Sequence, residues 1–194
     1  MIGDPFAETL RDAQAGKAAA FETIYRDLAP QIGGFARGRG VADPEDVVSE
    51  TMISLVNGLE SFTGDEASFR SWVFTIAFRR VVDSQRRAGR QVPTQVLGPV
   101  DPAAPAPSPE ELLLAQADDS PVMVALRRLK PDQRDVLLLR IVAGLPVEEV
   151  SSILGKRSSA VKMIQQRALT RLRAELGESR TVSSPTLPSD SSDA

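Results

Sequence analysis

The chain of 194 residues contains no cysteine and no histidine. Disulfides, thiol nucleophiles, zinc-finger ligand sets and imidazole catalysis are excluded together. Aromatic residues are scarce, with seven Phe, one Trp and one Tyr. No apolar run approaches the ~18 residues that span a membrane. The opening stretch, MIGDPFAETLRDAQAG, has no basic segment followed by an apolar core, so it does not read as a secretory signal. A Gly-rich phosphate loop is also missing. These absences predict a cytoplasmic protein that is not an enzyme, with no metal, cofactor or small-molecule substrate.

What is present is segregated charge. The chain is acidic overall, with 23 Lys+Arg against 26 Asp+Glu. Residues 1–66 hold 5 bases and 12 acids, whereas residues 67–92 hold 6 bases and 1 acid. Residues 93–119 hold 5 acids and no base. Residues 156–173 hold 6 bases and no acid. Two basic blocks between acidic ones point to local contacts with a polyanion.

Residues 92–109, VPTQVLGPVDPAAPAPSP, hold six of the fourteen prolines. Pro lacks an N–H and disfavours helix at the preceding residue, so this stretch predicts an extended linker. The expected organisation is a first domain over residues 1–92, a flexible linker over 93–119, a second domain over 120–176 and a disordered Ser/Pro/Asp tail over 177–194. Everything else reads as helix, and the fold class is all-α, two small helical domains joined by a Pro/Ala-rich linker.

In the first domain, Phe21, Ile24, Tyr25 and Leu28 recur at helical spacing. Pro30 is expected to interrupt that helix, with a second piece reaching Arg37. Gly38 and Gly40 end it and loosen the turn that follows; the residues assign Gly38-Arg39-Gly40 no function. Asp43-Pro44-Glu45-Asp46 starts a new helix, with an Asp cap, Pro in the first turn and acids at the positive dipole end. Val48, Met52, Leu55 and Leu59 form its inward stripe, and Asp46, Glu50, Ile53 and Asn57 share another face. The helix over 67–88 places Phe69, Trp72, Val73 and Ile76 on one side and Phe74 and Phe78 nearly opposite. It is therefore either sandwiched or displays aromatics. Arg79, Arg80, Arg86, Arg87 and Arg90 crowd its later half.

In the second domain, helices are expected over 121–129, from Pro131 to Gly144, and over 147–154. Gly155 ends the third, and Ser158 or Ser159 caps a fourth running to Leu176. The short helix, the glycine turn and the basic helix spell a helix-turn-helix. In that motif the second helix enters the major groove with its first residues at base edges. Val161, Ile164, Ala168 and Leu172 pack this helix down. Arg157, Ser158, Ser159, Lys162, Gln166 and Arg167 remain outward. Arg and Lys suit guanine or phosphate, Gln suits adenine, and an acid there would repel phosphate.

Taken together, "DPEDVVSETMISL", "FRSWVFTIAFRRVVDSQRR" and "LRRLKPDQRDVLLLRIVAGLPVEEVSSILGKRSSAVKMIQQRALTRLR" resemble the sigma-70 family. The likeness is to its small extracytoplasmic-function (group IV) sigma factors. It covers residues 17–90 and 120–176. It implies a promoter-specificity subunit that recognises and melts DNA at transcription initiation. By the resemblance, Asp46, Ser49, Glu50 and Ile53 meet the coiled coil of the core polymerase β′ subunit. Residues 61–68 and the following helix meet the −10 element, with Arg79, Arg80, Arg86 and Arg87 supplying charge and Phe74 and Phe78 either packing in the core or stacking on melted bases. Trp72 belongs to the core, and Asp83 orients the arginines. Residues 120–176 read the −35 element and dock on the β flap, with Leu137, Leu138 and Ile141 serving the domain core first. An anti-sigma factor is a further implied partner. Arg79 departs from a frequent Asn, and Gln166 from a frequent His. The alternative is a stand-alone helix-turn-helix regulator that binds an operator as a dimer; the second basic block, with its aromatics, argues against it.

Overall fold

The computed structural model describes residues 2–3, 5–90 and 120–182, with Arg90 and residues 178–182 described by backbone alone. The expected linker over 93–119 and residues 183–194 of the expected tail lie outside the described residues. Eight α-helices and no strand occur among those described.

Four helices make the first unit: α1 (Phe6–Gln14), α2 (Ala18–Gly38), α3 (Pro44–Leu59) and α4 (Glu66–Arg90). The sequence reading passed over α1. Its Phe6, Leu10 and Ala13 are buried one turn apart, a stripe of three that is too short to stand out. Helix α2 runs unbroken through Pro30, which corrects the expected interruption. Pro30 is exposed, so the hydrogen bond it forgoes lies on the solvent side of the helix. The start of α3 is as expected: the Asp43 carboxylate accepts from Asp46 N–H at 2.9 Å, with Pro44 in the first turn. Its inward stripe is Val47, Thr51, Met52, Leu55 and Leu59, with Val48 only half-buried.

Helix α4 is sandwiched. Phe69, Val73, Phe74, Ala77 and Val81 are all buried. Phe74 meets Phe35 of α2 edge-on at 6.0 Å. Fully burying each such ring stabilises the fold by about 1.5–3 kcal/mol.

The second unit holds α5 (Pro121–Arg128), α6 (Pro131–Leu137), α7 (Val147–Leu154) and α8 (Ser158–Val182). The last turn after α6 widens to a π-helix, Leu138–Val142. Leu137 and Leu138 are buried as expected, but Ile141 is 59% exposed and so serves no core. The two units are in contact, and their buried side chains form one cluster from Phe6 to Ala168.

Candidate nucleic-acid and polymerase interfaces

Helix α7 ends at Gly155, which adopts φ 61° and ψ 34°. Only glycine enters this left-handed region without steric cost. Gly155 N–H donates to Ser152 O and Lys156 N–H to Ser151 O, at 3.3 and 3.0 Å. The chain then turns directly into α8. Val161 and Ala168 are fully buried, and Ile164 and Leu172 half-buried, which fixes the roll of the helix. Arg140 holds the packing from behind, donating to Gln165 at 3.2 Å and to the Leu145 carbonyl.

That roll leaves Arg157, Ser159, Lys162, Gln166 and Arg167 exposed in the first three turns. None of these three cations makes an ion pair among the described residues, although Lys156 pairs with Asp132 at 2.9 Å and Arg171 with Glu175 at 3.6 Å. Ser158 differs from the other five. It is half-buried, and its oxygen accepts from the Ser151 hydroxyl at 3.1 Å, tying α8 to α7. The helix already begins at Ser158, so Ser158 and Ser159 are first-turn residues rather than caps.

On α3, Asp46 and Ser49 are exposed, and Ile53 is 62% exposed. Val56, which the sequence reading missed, continues this strip and is 51% exposed. Its signal was present: it lies three residues after Ile53 and outside the inward stripe. Glu50 is different. Its carboxylate lies 3.7 Å from Arg80 and 3.5 Å from Arg87. Glu50 therefore has internal partners and is not a free acid of this face.

The melted-strand candidates on α4 divide the same way. Arg79, Arg86 and Arg87 are exposed. Arg80 is half-buried and donates to Ser54 Oγ at 2.9 Å. Asp83 lies 3.9 Å from Arg86. Phe74 is fully buried and presents no face to a base, so of its two expected roles, core packing and stacking, the stacking one is ruled out. Phe78 is half-buried beneath the Arg39 guanidinium, 5.3 Å from its ring centre.

The loop between α3 and α4 is braced from several sides. Phe62 stacks on Trp72, with centroids 5.2 Å apart and planes 19° apart. Trp72 in turn lies against Gly58, where an added Cβ would come within 2.7 Å of the indole. The Gln14 side-chain amide donates to the carbonyls of Leu59 and Phe62 at 3.0 and 2.9 Å. At the far end, Asp65 accepts from Ser68 N–H at 2.8 Å. Hydrogen bonds from Ser68 hold its carboxyl below the usual value. Glu66 accepts from Ile2 and Gly3 N–H at 2.7 and 3.0 Å. Gln14 escaped the sequence reading because a lone glutamine carries no local signal for carbonyls so distant in sequence.

An acid-free, outward-facing row of polar and basic side chains on a helix-turn-helix, joined to a second helical unit with an arginine-lined face, describes a two-part DNA-binding protein, all-helical among the described residues. Comparison places it more closely. Residues 24–91 match the family profile for Sigma-70 region 2 and residues 125–174 that for Sigma-70, region 4. The chain belongs to the sigma-70 family. It is 31% identical over 173 residues to the ECF RNA polymerase sigma factor BldN of Streptomyces coelicolor, a match covering 85% of this chain and 63% of that protein. It is 30% identical to the ECF RNA polymerase sigma factor SigD of Mycobacterium tuberculosis, covering 91% of this chain and 86% of SigD. Among solved structures it is similar to the sigma factor RpoE of Bartonella quintana, crystallised in complex with the anti-sigma factor NepR. That match has TM-score 0.61 and 25% identity, over 81% of this chain and 96% of RpoE.

Proposed function

We infer that the chain is an RNA polymerase sigma factor of the extracytoplasmic-function group, and that its exposed faces divide the labour. The α8 row of Arg157, Ser159, Lys162, Gln166 and Arg167 reads the duplex −35 element. The α3 strip of Asp46, Ser49, Ile53 and Val56 docks on the β′ coiled coil. The α4 face of Phe78, Arg79, Arg86 and Arg87 takes the melted −10 strand, beside the braced loop. In this reading polymerase performs the chemistry and the chain works in the cytoplasm; no helix among the described residues is long and apolar enough to cross a membrane. An anti-sigma factor is a partner by the same reading, supported by the complex in which the RpoE relative was solved.

The observation that carries this reading is the contrast at the start of α8: Arg157, Lys162 and Arg167 face outward with no ion pair among the described residues, while the inward face is buried. A carboxylate there would oppose phosphate. The test is co-elution of the chain with core RNA polymerase at moderate salt. A stoichiometric complex is expected. Ile53→Lys should weaken it about tenfold or more, because burying one large apolar side chain contributes about 1.5–3 kcal/mol. A chain that stays folded yet never co-elutes would refute the reading.

A further inference from the structure

The outward face of α8 has an apolar side chain at its centre. Val161, Ile164, Leu169 and Leu172 of this helix all pack against the core. Met163 does not. It is 47% exposed, the one large apolar side chain of α8 that stands out among the described residues. At about 100° of turn per residue, Ser159, Met163, Gln166 and Thr170 share one strip of the helix. All four are exposed, and their strip lies opposite the buried Val161 and Ala168.

The surroundings of Met163 are polar and cationic. Lys162 and Arg167 flank the strip, exposed and without an ion pair among the described residues. Gln133 of α6 lines an open hollow together with Met163, Gln166, Arg167 and Thr170, and no carboxylate lines it. Thr170 donates its hydroxyl to the Gln166 carbonyl at 3.1 Å, so that proton is already engaged. A single exposed apolar residue on an ordinary surface needs no explanation. Here the setting selects an occupant. An apolar protein partner covering Met163 would have to bury Lys162 and Arg167 without counter-charge, at high cost. A polyanion would pair with both cations while its apolar groups meet Met163.

We propose that Met163 is a specificity-determining residue for thymine, its thioether arm packing on the C5-methyl group in the major groove. The inference rests on the −35 reading of α8 and states which base one position of that element must carry. Of the four bases, thymine alone puts a methyl group on the major-groove edge. The other three present hydrogen-bonding groups there, and a thioether is a weak acceptor with no donor. Covering such an edge with Met163 would remove its water and return no hydrogen bond. An unbranched, adaptable side chain settles on a methyl group without strict geometry. Gln166 follows three residues later, about 4.5 Å along the helix axis, close to the ~3.4 Å rise of one base pair. The thymine is therefore expected in, or next to, the base pair whose adenine Gln166 reads.

The test uses the full chain bound to core RNA polymerase and a pool of randomised duplexes. The enriched duplex should hold a thymine at one fixed position. Each of its thymines is then replaced in turn by deoxyuridine, which lacks only the methyl group. One replacement should weaken binding by the parent about fourfold, the worth of one buried methyl-sized group. Met163→Ala should bind the thymine duplex about fourfold more weakly and lose its sensitivity to that replacement. Met163→Leu should retain the sensitivity. Gln166→Ala serves as the control: it should relax the adenine preference and keep the deoxyuridine effect. Met163 is exposed, so these changes leave the fold intact, and the helical circular-dichroism signal checks each variant. A deoxyuridine effect as large in Met163→Ala as in the parent overturns the proposal. So does an enriched duplex in which no thymine is sensitive, and both results leave the polymerase reading standing. Weaker co-elution of Met163→Ala with polymerase, at unchanged DNA selectivity, would assign the side chain to a protein contact and overturn the proposal as well. If the complex forms but enriches no duplex, the −35 reading of α8 falls and this inference falls with it.

Discussion

The two basic helices, α4 and α8, carry similar charge and treat it differently. At the start of α8, Arg157, Lys162 and Arg167 face outward with no ion pair among the described residues, and only further along does Arg171 meet Glu175. On α4, Arg80 and Arg87 lean on Glu50, and Arg86 lies near Asp83. A free cation row costs self-repulsion and gains whenever a polyanion arrives. A compensated row must first give up its partners. The first suits a standing duplex reader. The second suits a surface used only when another event makes single strand available. Charge counting alone ranks the two blocks as equals; burial and pairing separate them.

Two variants, one single and one double, break the comparison hardest. Phe74→Ala should destabilise the first unit by about 3–5 kcal/mol, the usual cost of emptying an aromatic site in a core. Denaturant unfolding measures it, and the loss should appear with no DNA present. An unchanged midpoint would return Phe74 to the stacking role that its burial contradicts. Lys162→Ala with Gln166→Ala should cost ~1–3 kcal/mol per bidentate base contact in promoter discrimination, with little change in stability because both side chains are exposed. Competition between promoter and unrelated duplex reads this effect.

Next in size is the brace on the loop. Gln14→Ala leaves the Leu59 and Phe62 carbonyls without their side-chain donor. A part-buried acceptor so deprived costs about 1–3 kcal/mol. Slower promoter opening with unchanged duplex binding would place the effect at the loop. Equal loss of both would mean that Gln14 merely holds the unit together.

Most helices were legible from periodicity and caps. Asp43-Pro44 announced α3, and Gly155 announced the helix-turn-helix. The inward row of α8 was readable because Val161, Ile164, Ala168 and Leu172 keep helical spacing. Three things were hidden for physical reasons. Helix α1 has a stripe of only three. Pro30 sits where a helix tolerates it, on the exposed side, and sequence does not tell which side that is. The contact between the two units was invisible because Gly38 of α2 and Leu138 of the π-helical turn, or Arg39 and Asp135, are brought together only by tertiary packing. At the site, the division between free and compensated cations was equally hidden, since Glu50 reaches Arg80 and Arg87 from another helix.

That compensation yields the smallest and most telling prediction. Glu50→Gln keeps the shape of the side chain and removes its charge. Both pairs are partly exposed, with separations of 3.5 and 3.7 Å, so the stability change should stay within about 1 kcal/mol. Arg80 and Arg87 would then present more net positive charge on α4. Single-strand affinity should rise by a few-fold at low salt, and the gain should shrink as salt rises because exposed charges are screened. Duplex affinity through α8 should stay the same. If polymerase binding falls instead while single-strand binding is unmoved, Glu50 belongs to the docking strip with Asp46 and Ile53.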